Sequence, residues 1–166
     1  EWFSEMSLVA SGAIETTLAE LRDRGVAYES DGAVWLRSTD YGDDKDRVLV
    51  KSDGEYTYLL PDIAYHRDKF DRGWALLIDV LGADHHGYVP RMKAAAAALG
   101  HEPADLEMVI TQLVRLERDG EEVRISKRAG SYVTVRDLID EVGRDAVRVF
   151  LGSRKADSEF TFDHNL

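Results

Sequence analysis

The sequence predicts an α/β fold: half of a doubly wound sheet, carrying a small antiparallel β insertion. Three observations point there. Residues 74–81 (W-A-L-L-I-D-V-L) form a near-continuous apolar run, as a strand buried on both faces of a parallel sheet requires. A helical pattern over 88–99 and a second β-prone run over 106–114 follow it, the order of a βαβ crossover. Residues 26–58 differ: short β-prone runs are separated by Asp31-Gly32 and Asp53-Gly54, and Asp-Gly between such runs signals a hairpin.

The bulk numbers suit this. The chain has 166 residues and 44% apolar content, enough for a sizeable core. Its net charge of -11 argues against a generic polyanion binder, so any contact with nucleotide or nucleic acid needs a local basic patch. The absence of cysteine excludes disulfides, thiolate metal sites and thiol catalysis, and fits a cytoplasmic setting. No apolar run reaches the roughly 18 residues of a membrane span. The chain opens on Glu1-Trp2-Phe3-Ser4, mid-phrase, so a processed chain or an excised fragment is expected.

Residues 1–25 read as a helical lead-in. Leu8, Ile14, Leu18 and Leu21 approximate one stripe of a helix over 7–24, and Gly25 stops it. Residues 26–58 hold four β-prone runs, at 26–28, 33–36, 47–51 and 56–58. Asp43, Asp44 and Asp46 between them lack the glycine and distal glutamate of a calcium loop, so a solvated acidic turn is expected.

A helix begins near Leu59. Pro61 suits its first turn, where the missing N–H costs nothing, and Asp62 there favours the helix dipole. Asp62, Tyr65 and His66 share one face, with Tyr58 just before it. Such a face can hold a cation by ion pairing and cation–π contact; it can equally be a capping aspartate beside two core aromatics.

The apolar strand then runs into Gly82-Ala83-Asp84-His85-His86-Gly87. Ligands of open α/β sheets bind at the carboxyl ends of strands. Asp84 could take a ribose hydroxyl pair, and His85 or His86 could reach a phosphate; no third ligand of zinc-like spacing is evident. After the run at 106–114 comes a charged turn over 115–122 with Asp119-Gly120. Then Arg124-Ile125-Ser126-Lys127-Arg128 places three cations around a hydroxyl, a solvated turn or a reach around polyphosphate. Thr134 with Asp137 predicts a helix N-terminus, Gly143 a break, and 144–151 a further helix. Residues 155–166 are polar, with Phe160 and Phe162 alternating, and read as a connection to something further on.

Three segments together strongly resemble bacterial arginyl-tRNA synthetase: 58–69 (Y-L-L-P-D-I-A-Y-H-R-D-K), 82–91 (G-A-D-H-H-G-Y-V-P-R) and 124–128 (R-I-S-K-R). The resemblance covers essentially the whole chain. It implies the second Rossmann half of a class I synthetase nucleotide-binding core over 59–154, with 26–58 as the β insertion. It also implies that 155–166 lead toward an anticodon-binding domain. Arg124, Ile125, Ser126, Lys127 and Arg128 match the family's K-M-S-K-S loop, which closes over ATP and stabilises the leaving pyrophosphate. Lys127 keeps the lysine that the family relies on. Tyr58 and Asp62, with Tyr65 beside them, match the residues that read the arginine guanidinium. Gly82 and Asp84 match the stretch beside the adenosine ribose, with His85 and His86 close by. The implied partners are ATP with its Mg2+, L-arginine and tRNA(Arg), with no protein metal site.

One departure is large. The family's H-I-G-H signature, which binds ATP phosphates from the first half of the fold, does not occur. The expectation is therefore a fragment that does not aminoacylate alone and that self-associates through apolar surface exposed by truncation. A standalone, non-catalytic paralogue acting as a binding or regulatory module is the alternative, and another class I synthetase or a related nucleotidyltransferase a more distant one.

Overall fold

The computed structural model describes residues 2–118, 121–122 and 133–163. The chain divides into two compact units, one built from residues 1–79 and 87–108, the other from 80–86 and 109–166.

In the first unit, the single helix expected over 7–24 is two helices, α1 (Met6–Ala10) and α2 (Ala13–Asp23). Gly12 between them sits at φ +70°, a left-handed conformation that glycine enters without a Cβ penalty. α2 turns Ile14, Thr17 and Leu21 inward and ends at Gly25. Strands β1 (Ala27–Ser30), β2 (Ala33–Leu36) and β3 (Arg47–Val50) then form an antiparallel sheet in chain order. Asp31 and Gly32 both have positive φ, 54° and 75°, as a two-residue type I′ hairpin demands. The run at 56–58 is not a full strand. Tyr56 makes one isolated bridge to Val50, and Thr57 bonds back to Val48 and Leu49 before the chain turns helical.

Partners on neighbouring elements hold the acidic turn. Asp43 takes two bonds from Arg47, at 2.8 and 2.7 Å, which pull its carboxyl far below the ordinary range against the opposing effect of burial. Asp46 accepts from the Thr39 and Tyr28 hydroxyls.

Helix α3 (Leu59–Asp71) buries Leu60, Ile63 and Ala64 and packs against α2. A 3-10 helix over Ala83–Tyr88 leads into α4 (Val89–Ala98), whose small buried residues Ala94, Ala95, Ala96 and Ala98 let it lie close to α3 and to the 3-10 turn at Ser38–Tyr41. Strands β4 (Leu77–Gly82) and β5 (Leu106–Thr111) pair as a two-stranded sheet, and both run on from the first unit into the second.

β4 is not buried on both faces. Leu77 is 5% exposed and packs in the core, while Ile78 and Val80 are 57% and 66% exposed. Trp74 and Leu76, just before the strand, are exposed too, so several apolar side chains of this segment are left uncovered.

In the second unit, the run expected over 106–114 is interrupted. β5 stops at Thr111, and the Gln112 N–H donates to the Ala156 carbonyl at 2.8 Å. β6 (Val114–Arg118) then pairs antiparallel with β7 (Glu121–Glu122) and parallel with β8 (Phe160–Asp163). The charged segment at 115–122 thus contains a strand that alternates polar and apolar side chains, and Leu116 packs against the local core. The polar tail likewise contains a strand, because Phe160 and Phe162 alternate and Phe162 is buried among Leu138 and Val147. Helix α5 (Val135–Val142) opens on the predicted capping box of Thr134 and Asp137, and α6 (Arg144–Gly152) follows Gly143 at φ 87°.

Candidate functional site

The N-terminus of α3 gathers a polar cluster in the first unit. Asp62 lies in the first turn, where a negative charge faces the positive end of the helix dipole. Its carboxylate accepts a short hydrogen bond from the Tyr88 hydroxyl, which arrives from the turn before α4. Burial, reinforced by the Asp62 carboxylate, pushes the Tyr88 phenol well above its ordinary range, so it is a neutral donor. Tyr58, just before α3, lies open to solvent, with its ring 5.9 Å from that of Tyr88. Arg91 Nη1 donates to the Tyr58 hydroxyl at 2.5 Å, and its guanidinium lies over the Tyr88 ring, 5.2 Å from the centroid. A cleft of about 190 Å³ opens here between Arg47, Val48, Thr57, Tyr58, Leu59 and Arg91.

Tyr65 and His66 continue the same helix but have different surroundings. The Tyr65 ring stacks on Phe3 at 4.8 Å and carries the Lys69 ammonium 4.4 Å above its centre. His66 is buried and bridges two elements: Nδ1 lies 2.8 Å from the Asp62 carbonyl and Nε2 2.6 Å from an Asp79 oxygen. Lys69 donates to the other Asp79 oxygen at 2.8 Å. Burial alone would raise the Asp79 carboxyl, but the bonds from His66 and Lys69 outweigh it and bring it down to about 2. Asp79 on β4 thereby ties down the helix that carries Asp62 and Tyr65.

Gly82 ends β4 and Asp84 follows in the 3-10 helix, both in the second unit. A Cβ at Gly82 would lie 2.8 Å from an Asp84 carboxylate oxygen, so the Asp84 side chain comes close to the end of the strand here. His85 Nε2 lies 3.7 Å from Asp84, and Asp84, His85 and His86 are all exposed. The predicted loop residues Arg124, Ser126, Lys127 and Arg128 lie outside the described residues.

The predicted residues therefore fall into groups. Tyr58 and Asp62 come together around Tyr88 and Arg91; Tyr65 packs on Phe3 and Lys69; Gly82, Asp84 and His85 cluster separately in the second unit. Three residues around the head of α3 carried no assigned role in the sequence: Tyr88 and Arg91 in the first cluster, and Asp79, which holds His66 and Lys69. Tyr88 read as a helix start and Asp79 as one polar residue in an apolar strand. An aspartate inside a buried strand was the available signal, since a buried carboxylate needs partners. Chemically, the cluster presents one carboxylate among phenols, a setting suited to a planar organic cation.

Residues 5–159 match the family model described as tRNA synthetases class I (R), catalytic domain. The chain is 61% identical over 165 residues to an arginine–tRNA ligase of Bacillus subtilis (strain 168), covering 99% of this chain and 30% of that protein. It is 60% identical, with the same coverage, to that of Geobacillus thermodenitrificans (strain NG80-2). The chain thus spans about a third of the length of these relatives. Among solved structures, a putative arginyl-tRNA synthetase from Campylobacter jejuni superposes with a TM-score of 0.89 at 43% identity, over 98% of this chain and 35% of that one. The arginyl-tRNA synthetase of Thermus thermophilus, at 14% identity and a TM-score of 0.69, shares the fold over 95% of this chain and 36% of that one. With the family model matching nearly its full length, the chain belongs to the class I (R) tRNA synthetases, within their catalytic domain.

Proposed function

We propose that this chain is part of an arginine–tRNA ligase, which joins L-arginine to ATP as arginyl-adenylate and transfers the arginyl group to tRNA(Arg). The observation that carries the reading is the Asp62 carboxylate at the head of α3, with Tyr58 beside it. Asp62 pairs with the guanidinium and Tyr58 contacts it, while Tyr65 lines the same helix. The arginine carboxylate attacks the ATP α-phosphorus and pyrophosphate leaves, with no covalent enzyme intermediate. Gly82, Asp84, His85 and His86 lie on the ATP side. Lys127, with Arg124, Ser126 and Arg128, balances the charge developing on pyrophosphate, an electrostatic contribution of about a few kcal/mol per donor. Mg2+ enters with ATP as part of the substrate. The reading fits a cytoplasmic protein; among the described residues no helix is long and apolar enough to cross a membrane.

The 166 residues by themselves are inactive on this reading, since ATP-phosphate binding by an H-I-G-H segment is not among their motifs. The test is arginylation of tRNA(Arg), by the chain alone and by the full-length ligase that carries it. The expected result is no turnover by the chain alone, and an arginine KM raised about 100-fold or more by Asp62→Asn in the full-length enzyme. Robust turnover by the chain alone would refute its inactivity. An unchanged arginine KM in Asp62→Asn would refute the placement of the pocket.

A further inference from the structure

We propose that Tyr88 is a positioning residue for the substrate cation: its hydroxyl holds one oxygen of the Asp62 carboxylate, so that the other oxygen is presented to an incoming guanidinium. The inference rests on the arginine reading of Asp62 and adds a residue to which that reading gives no role.

The argument starts from the carboxylate. An aspartate rotates easily about its last torsion, where the preference is broad and roughly two-fold. Tyr88 arrives from a different element, the turn before α4, and its bond to Asp62 fixes that torsion from outside α3. The donor is chemically apt. A neutral phenol orients the carboxylate without neutralising it, whereas a cation in the same place would compete with the substrate for the charge. The nearest cation on α4, Arg91, donates to the Tyr58 hydroxyl and lies over the Tyr88 ring, so it is kept one step from Asp62. Among the described residues, the side chain that donates to the Asp62 carboxylate is Tyr88. An ionised carboxylate has about four acceptor sites, so one bond from Tyr88 orients it and still leaves acceptor capacity for a guanidinium.

Tyr88→Phe isolates the role, because it removes the hydroxyl and keeps the ring against Tyr58 and under Arg91. The assay is arginylation of tRNA(Arg) by the full-length ligase carrying this segment, titrating arginine and ATP separately, with citrulline as an uncharged competitor of the same shape. The expected result is an arginine KM raised about ten-fold, with the ATP KM and kcat moving less than about two-fold. Discrimination of arginine over citrulline should fall with it. If Asp62→Asn impairs arginine use but Tyr88→Phe leaves the arginine KM within about two-fold, the positioning role is wrong and the arginine reading stands. If Asp62→Asn is silent as well, both fail. A Tyr88→Phe enzyme with a lower melting temperature and equally raised KM values for arginine and ATP would show general loosening and would also overturn the proposal.

Discussion

Asp79 is the residue on which the head of α3 depends. Its carboxylate, 14% exposed, accepts from His66 and Lys69, and through them it restrains the Asp62 backbone and the Tyr65 ring. Because its folded-state carboxyl lies at about 2, below the ordinary aspartate value of about 4, its contribution to stability is complete above pH ~4. The contribution is lost as the pH falls through that folded-state value. The depression corresponds to about 2 kcal/mol. In Asp79→Asn, the acid limb of stability below pH ~4 should flatten by about that amount relative to wild type. Denaturant titrations of both proteins from pH 2 to 7 would check this, and identical acid limbs would exclude the role. At neutral pH Asp79→Asn should cost about that same amount, because the asparagine oxygen still accepts a hydrogen bond but brings no charge to His66 and Lys69. At this scale the sequence was informative about residue types and less so about partners. Asp62 and Tyr58 could be singled out by their place at a helix start. Their contacts with Tyr88 and Arg91 span 26 and 33 residues of sequence, and no local periodicity encodes such a distance.

At the scale of elements, caps and turns were the most predictable features, because their causes are local. Thr134 and Asp137 form the reciprocal capping box that their spacing predicts, with bonds of 3.1 and 2.8 Å. Thr134→Ala should cost about 1 kcal/mol and lower the protection of the first amides of α5 in hydrogen exchange, while Thr134→Ser should retain most of it. Unchanged protection in the alanine variant would mean that packing of Leu138, not the cap, holds the helix end. The misreadings have physical causes too. The stripe over 7–24 is continuous enough to pass for one helix, but Gly12 takes a left-handed conformation and lets the chain turn between α1 and α2. The segments at 115–122 and 155–166 read as polar turn and connection, because a strand with one solvated face has few apolar residues to count. Their pairing as β6 and β8 brings Leu116 and Phe162 into one small core.

For the molecule as a whole, the exposed apolar side chains of Trp74, Leu76, Ile78 and Val80 matter most for its behaviour in solution. The sequence predicts a strand buried on both faces, and only one face of β4 is covered among the described residues. Burying such side chains is worth about 1.5–3 kcal/mol each, so a second copy of the chain is a ready cover when the 166 residues are isolated. Light scattering should show self-association that rises with concentration, and Ile78→Lys with Val80→Lys should shift the chain toward monomer. A wild-type chain that stays monomeric across concentration would refute this. By itself, the sequence determined the α/β class, the β hairpin with its Asp-Gly turn, the helix caps and the order of the family's motifs, since each depends on residues close in the chain. Only the tertiary structure decided which carboxylate meets which phenol, that Asp79 anchors α3, and which face of β4 is left open. Those outcomes depend on side chains brought together across long stretches of chain, where packing and paired burial, not local preference, set the energy.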